Sequence, residues 1–146
     1  MKRVLAVGGL CLLALVTGRA DAATPPPRQK LVAGLYRQIN TVTKQALPDG
    51  SQLVIMTGKG GRLGFSLNAV RQSDANQGFA VGTLPGVLPA IWTKTADSGN
   101  CKLTFEAVPS VGLKVTQDAG FGDCGFGAGV TANGTYQQIP EKPLKT

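Results

Sequence analysis

The cysteines are the residues of this chain with the clearest chemical potential, and their number depends on where the mature chain begins. The sequence holds three cysteines and no histidine. Removal of residues 1–22 as an export signal would leave only Cys101 and Cys124. Two thiols carried into an oxidising compartment form a structural disulfide, and the C-x-x-C spacing of a redox-active pair is missing here. We therefore expect a bond that closes a loop of about 24 residues and contributes on the order of 3 kcal/mol.

The other reactive residue types form no recognisable catalytic or metal-binding pattern. Glu106 with Asp118 or Asp123 is the one set of acids that could serve a glycosidase, which needs two facing carboxylates. Glu106 is better explained as an exposed strand residue paired with Lys114 or Lys102. The sequence has no acid-dense calcium loop and, after residue 22, no S-x-x-K or G-x-S-x-G segment. We predict no catalytic residue, no metal and no cofactor.

Two turns hold polar residues that could contact a partner. Lys59 and Arg62 are the closest pair of basic residues on a turn: Lys59 lies within the glycine turn at 58–61, and Arg62 follows it. Ser98 and Gly99 lie in a second turn. Both turns, together with the glycine-rich segment 120–129, are contact candidates because binding residues concentrate on loops that a rigid scaffold positions.

Two aromatic residues are candidates for ligand contact inside the fold. Trp92 and Tyr136 are the large aromatic residues that would line a cavity if the domain were a hollow barrel. A single Trp on a strand more often serves packing. Both roles stay open at this point.

The first 22 residues have the parts of a secretory signal peptide. A basic start precedes an apolar core at 4–16, and Ala20 and Ala22 match an A-x-A cleavage site before Ala23. The apolar run is too short for a membrane span, which needs about 20 residues. We expect export to the periplasm or the exterior of a bacterial cell. The rest of the chain divides into a proline-rich spacer (23–30), a single domain (31–139) and a tail (140–146).

The positive charge of the chain is dispersed. Removing the signal takes away three basic residues and one acid, so the formal net charge falls from +7 to +5. A nucleic-acid-binding protein would show clustered basic residues interleaved with aromatics. We therefore expect no nucleic-acid binding, with attraction to anionic envelope components as a weaker alternative.

Short apolar segments between turn residues indicate an all-β domain. Alternating apolar residues at 62–70 predict a strand with one buried face, whereas 31–39 fits a strand or one face of a helix. Turn signals recur about every eight to twelve residues, which suits a small antiparallel up-and-down β-barrel, or a sandwich, of six to eight strands. Closure as a barrel would remove exposed strand edges. Further strands are predicted at 52–57, 78–84, 90–95, 101–107, 113–116 and 135–139.

The segment 101–116 is the clearest hairpin of the sequence. Pairing Phe105 with Leu113 places Leu103 opposite Val115 and keeps both apolar sets on one face. A slip of one residue would separate those sets, so we predict this register. The glycine-rich segment 120–129 predicts a loop.

Three segments near the C-terminus carry a resemblance to known proteins. Residues 101–105 read CKLTF, 124–130 read CGFGAGV and 134–136 read GTY. They resemble a C-x-L-x-F … C-G-x-G … G-T-Y ending of small exported bacterial proteins, some of which are lysozyme-inhibitor-like. The resemblance implies a compact β-barrel held by a disulfide near its C-terminus. Such inhibitors insert a Ser-Gly-x-x-Tyr loop into the enzyme, of which this chain keeps Ser98-Gly99 but lacks the tyrosine.

Taken together, these features favour an exported, non-enzymatic binding module of the bacterial envelope. An envelope protein or an envelope-degrading hydrolase is the expected partner. Two alternatives stay open, an inhibitor of such a hydrolase and a carrier that holds a small ligand inside the barrel.

Overall fold

The chain folds as an almost closed β-barrel. The computed structural model describes residues 28–96, 99–118 and 124–140, and their regular structure is nearly all β. The predicted signal peptide, residues 23–27 of the spacer, Ser98, residues 119–123 and the tail beyond residue 140 lie outside the described residues. Within the described part, no helix has the length and apolar character that crossing a membrane requires.

Ten strands and one short turn of 3-10 helix make up the described structure. The 3-10 turn is Lys59–Gly61, between the third and fourth strands. In chain order the strands are β1 (Gln29–Lys30), β2 (Gly34–Gln38), β3 (Gln52–Thr57), β4 (Arg62–Arg71), β5 (Asn76–Pro85), β6 (Val87–Leu88), β7 (Ala90–Ala96), β8 (Gly99–Val108), β9 (Gly112–Gln117) and β10 (Gly134–Ile139).

Eight strands form one antiparallel sheet in the order β5-β4-β3-β2-β10-β9-β8-β7. The sheet consists of two four-stranded meanders, β2 to β5 and β7 to β10, which the pairing of β2 with β10 joins. The predicted all-β, up-and-down barrel is thus confirmed. The ambiguous segment 31–39 contains strand β2, and the end of the predicted spacer, Gln29–Lys30, belongs to the fold as β1.

The pattern G-x-Y-x-Q-I occurs twice in the sequence, and its two copies lie side by side where β2 pairs with β10. It begins at Gly34 and again at Gly134. The side-chain amide of Gln138 donates to the carbonyl just before Gly34 (3.1 Å), and that of Gln38 donates to the carbonyl just before Gly134 (3.3 Å). Each glutamine occupies the space that a side chain on the opposite glycine would need. The two glycines therefore let the glutamines cross the junction that joins the meanders.

The edge strands β5 and β7 face each other across a seam without a hydrogen-bonded ladder. Trp92 of β7 lies over Gly82 of β5 across this seam. A Cβ added at Gly82 would lie 2.7 Å from Cδ1 of Trp92 and 2.8 Å from Cε1 of Phe65. Glycine is needed at this position because the indole fills the space of a side chain.

Other segments close the two ends of the seam. At one end β1 pairs with β6, which lies in the connection from β5 to β7. At the other end lie residues 124–130, which we name the plug segment. There Phe126 packs on Gly78 of β5, and the Cys101–Cys124 disulfide ties the plug segment to β8. The barrel is therefore completed by the β1–β6 pair at one end and by side-chain packing and the disulfide at the other.

Side chains from all around the sheet fill the barrel interior. The rings of Phe65 and Phe105 meet edge to face, with centroids 5.3 Å apart. A small eight-stranded barrel has an interior just wide enough to be filled in this way. Other fully buried members of this core are Leu53, Leu67, Leu84, Leu103, Val115, Val130 and Tyr136.

The register of the β8–β9 hairpin differs from the one that the apolar pattern predicts. Phe105 pairs with Val115, so the predicted pairing with Leu113 is wrong. The two registers differ by two residues along the partner strand. Because side chains alternate with period two, an even shift leaves the inward and outward faces unchanged, and the apolar pattern accepts both registers.

The turn selects between the two registers. The amide of Val111 donates to the carbonyl of Val108 (3.1 Å), which places Pro109 at the second position of the turn. The fixed φ of proline suits that position. The predicted pairing would move Pro109 one position later, where proline is disfavoured in the commonest turn type.

Candidate interaction surfaces

The predicted disulfide is formed in the structure. Cys101 and Cys124 are bonded to each other, and both are buried. Cys101 lies on β8 and Cys124 begins the plug segment, so the bond fixes a loop to the barrel wall. Its place in the fold is that of a structural bond.

Trp92 is a packing residue of the seam. Its ring meets that of Phe65 edge to face, with centroids 5.3 Å apart, and it is half-buried. The backbone of β5 at Gly82 packs against Trp92, and it fills the space beside the indole where a ligand cavity would have to lie. Only the part of the indole that is not buried stays available for contact.

Tyr136 lies in the core and is fully buried. Its hydroxyl donates to the carbonyl of Ala132 (3.0 Å). Burial raises the pKa of Tyr136 well above its ordinary value, while the side chain of Ser51 acts in the opposite direction. A ligand would reach this side chain only by entering the filled interior.

The predicted contact loops lie at opposite ends of the barrel. The turn with Lys59 joins β3 to β4, at the end where β8 turns into β9. We name this the basic end and define it by Arg28, Lys30, Lys59 and Arg62. Gly99 begins β8 at the other end, where the plug segment lies. The structure does not bring the loop with Lys59 and the loop with Gly99 into one site. Residues 124–129 of the third predicted contact loop belong to the plug segment, at the end where Gly99 lies.

The acidic candidates take part in ion pairs or face a lysine. Asp118 pairs with Lys102, with oxygen and nitrogen 2.7 Å apart, and Glu106 lies directly opposite Lys114. Asp123 lies outside the described residues. Both acids therefore have cationic neighbours on adjacent strands.

A second ion pair lies at the plug end. Arg71 binds Asp74 through Nε at 2.8 Å and through a second, shorter contact. The guanidinium hydrogen bond lowers the pKa of the Asp74 carboxyl. Arg71 also lies against Gly129 of the plug segment.

A shallow groove on the outer face of the barrel is the feature that sequence reasoning missed. Its floor is β4, where the small residues Gly64 and Ser66 lie between two rows of apolar side chains. Since neighbouring strands are about 4.8 Å apart, the rows are separated by about 10 Å. We name this surface the β4 groove. Its walls are Val54 and Met56 on β3 and Phe79 and Val81 on β5, and all four are exposed.

The sequence did not predict the β4 groove because the apolar residues of β5 point outward. Phe79 and Val81 are 62 % and 66 % exposed, although apolar alternation would place such residues in the core. Their inward neighbours are small because Phe126 and Trp92 occupy the interior beside Gly78 and Gly82. The alternation of glycine and alanine with larger apolar residues was the available signal.

Two buried polar atoms near the groove have no hydrogen-bond partner within the described residues. They are Oδ1 of Asn68, on the groove floor, and Nε of Arg37. Both residues lie opposite Gln52 of β3, in neighbouring positions of the sheet. The side-chain amide nitrogen of Asn68 donates to Oε1 of Gln77 (3.4 Å), so only the side-chain oxygen of Asn68 has no partner within the described residues. Buried orphan groups of this kind call for an explanation, such as an absent partner.

Two clefts of the barrel lie away from Trp92. One, of about 710 Å³, lies between the loop after β2 and the outer face of β9, and Val42, Gln72 and Thr116 are among its lining residues. Another, of about 320 Å³, lies at the basic end beside Lys30 and Val111.

Neither a metal site within the described residues nor a similarity to known proteins identifies a function for these surfaces. In the residues that the structure describes, no three potential metal ligands of the His, Cys, Asp or Glu types lie together. Comparison with protein-family models, with curated proteins and with solved structures finds no match to this chain.

Proposed function

We propose that this chain is an exported, non-enzymatic binding module that holds a protein partner in the β4 groove. The observation that carries the proposal is the pair of exposed apolar walls, Val54 with Met56 and Phe79 with Val81, on either side of a floor of small residues. Exposed apolar side chains gathered on one face mark interaction sites. Phe and Met are among the residue types enriched at interfaces.

The barrel supplies a rigid frame for this groove. The three strands that form it, β3, β4 and β5, are joined by continuous ladders. Binding then costs little ordering of the module itself, which is the advantage of a preorganised surface.

The partner that suits the groove is an extended polypeptide segment with apolar side chains at alternate positions. From Gly64 to Asn68 the floor is about 13 Å long, the span of four steps along a strand. Asn68 offers a buried acceptor, which a backbone amide of the segment would satisfy. Arg62 and Arg37 border the surface, so carboxylates flanking the segment would add attraction.

Of the alternatives, a hydrolase inhibitor is a special case of this proposal and a carrier has less support. A hydrolase would be one kind of protein partner. Titration of the purified protein against a panel of muramidases tests this alternative, which fails if a micromolar excess of the protein leaves the activity of every muramidase unchanged. The carrier needs interior space, which Phe65, Phe105 and Trp92 fill.

The first test is site-directed cross-linking in cells that export the protein. A photoreactive residue at Val81 should capture one partner, identified by mass spectrometry, whereas the same residue at Thr116 should not. Thr116 is the control because it lies on β9, the far side of the barrel from β4. Equal capture at both positions, or none at Val81, would contradict the proposal.

The second test measures the affinity of the purified pair. Gly64→Gln should fill the groove and weaken binding by about tenfold or more. The substitution fits the fold, because a Cβ at Gly64 meets Met56 at ordinary contact distances of 3.6 and 3.9 Å. Thr116→Gln should leave the affinity unchanged. If Gly64→Gln also binds with wild-type affinity, the partner does not bind in the β4 groove.

A further inference from the structure

The basic end gathers cations from separate parts of the sequence around one loop. Lys30 pairs with Val87 in the β1–β6 ladder, and Arg62 pairs with Pro85 at the end of β5. Between these partners lies Gly86, whose carbonyl accepts from the amide of Leu31 (3.0 Å). Sequence distance hid this grouping, because β1 and the β3–β4 turn are about thirty residues apart.

The glycine turn brings the remaining cation to the same loop. A Cβ on Gly86 would lie 2.7 Å from the carbonyl oxygen of Gly61, so the two backbones are in contact. Lys59 belongs to the same 3-10 turn as Gly61. Arg28 comes just before β1. All four cationic residues are exposed.

The charges of the two barrel ends are unlike. The ion pairs Arg71–Asp74 and Lys102–Asp118 lie towards the plug end. Among the described residues none of the four basic-end cations makes an ion pair, and the nearest strand acid, Glu106, is opposite Lys114. Within the described residues, the basic end therefore presents uncompensated positive charge.

Apolar residues accompany the cations. Val32 is 51 % exposed and Val87 is 41 % exposed, and Val87 is the direct strand partner of Lys30. A surface with both cations and exposed apolar side chains suits the boundary between lipid headgroups and acyl chains. A free phosphate would use the cations alone, without the valines.

We infer that the basic end docks the barrel on an anionic phospholipid surface, with Lys30, Lys59 and Arg62 at the headgroups and Val32 and Val87 below them. The inference does not depend on the β4 groove, because Lys30, Lys59 and the two valines lie outside it. Arg62 borders both surfaces, and its guanidinium donates to Thr83 Oγ1 (3.0 Å). Each cation near an anionic membrane is worth about fivefold in binding, so four give several hundredfold at low salt. Such binding is reversible and weakens as salt rises.

The test is sedimentation of the protein with vesicles, after purification from an exporting host and sequencing of its N-terminus. Vesicles that contain phosphatidylglycerol should bind it, and vesicles of phosphatidylcholine alone should not. The double variant Lys30→Glu/Lys59→Glu should lose at least about tenfold in binding. Lys44→Glu/Lys94→Glu changes the net charge equally but on residues outside the basic end, and should lose far less. Equal losses, or no preference for the anionic vesicles, would overturn the inference.

Further arms separate the lipid surface from other anions. Val32→Ser/Val87→Ser should weaken the part of binding that survives high salt, and an unchanged salt-resistant part would contradict a lipid surface. Displacement by inorganic phosphate, or equally tight binding to a soluble polyanion, would also count against it. If circular dichroism shows that the charge variants do not fold, hydrogen exchange on the wild-type protein decides. Docking at the basic end should slow exchange at residues 59–62 and 87 when anionic vesicles are added, and unchanged exchange there would overturn the inference.

Discussion

At the residue scale, the two tyrosines show how buried polar atoms are satisfied in this barrel. Tyr136 donates its hydroxyl to the carbonyl four residues before it, and Tyr36 does the same at Val32 (2.8 Å). Burial raises the pKa of both hydroxyls. Each side chain thus contributes a large apolar ring to the core and keeps its polar end bonded.

Tyr136 should make stability depend on alkaline pH. Its pKa is raised in the folded state, so its contribution is fully present below about pH 10, the unfolded value, and is lost as pH rises further. Tyr136→Phe should cost about 1 kcal/mol near neutral pH, because the carbonyl of Ala132 loses its donor. Urea unfolding from about pH 9 to about pH 11 should show the gap between wild type and variant shrinking. A constant gap would mean that the hydroxyl ionises as easily in the fold as outside it.

At the element scale, the glycine–glutamine contacts join the first and last long strands. The Gln38 side chain also accepts from the amide of Ser51 (3.1 Å), so moving it disturbs two hydrogen bonds. Its position depends on the absence of a side chain at Gly134. The junction is therefore sensitive to a single added methyl group.

Gly134→Ala should lower the free energy of unfolding by about 1–3 kcal/mol, because the new Cβ displaces the Gln38 amide. Gly64→Ala is the matched control, since its Cβ would meet Met56 only at ordinary contact distance. That variant should be neutral or slightly stabilising, because glycine in a strand costs conformational entropy. Equal destabilisation in both variants, measured by urea unfolding, would show that the Gln38 contact has no special role.

Strand positions could be predicted from the sequence, whereas register could not be predicted in full. The alternation in β4 and β8 identified the inward faces correctly. Pro109 then set the β8–β9 turn, and with it a register that the apolar pattern alone does not distinguish. On β5 the pattern misled, because the residues that fill the space inside it come from other segments.

At the scale of the whole molecule, the barrel depends on the plug segment to cover one end of the seam. Phe126 packs on Gly78, and Val130 is fully buried. The disulfide cross-links this segment to β8. We therefore expect its loss to affect β5, although neither cysteine belongs to that strand.

Replacing both cysteines, as Cys101→Ala/Cys124→Ala, should destabilise the fold by about 3 kcal/mol, since the bond joins residues 23 apart. Hydrogen exchange should speed up at the start of β5, near Gly78, more than in β3. The reduced wild-type protein should behave in the same way. Faster exchange spread evenly over all strands would instead show that the bond stabilises the barrel as a whole and not the plug segment.

The sequence by itself determined the all-β class, most strand positions, the pairing of Cys101 with Cys124 and the inward faces of the regular hairpins. These follow from side-chain alternation and turn chemistry, which act between near neighbours in the chain. Only the tertiary structure decided that Phe79 and Val81 face outward and that Lys30 and Arg62 lie at the same end of the barrel. Those outcomes depend on space and charge contributed by segments distant in sequence, and no local pattern records them.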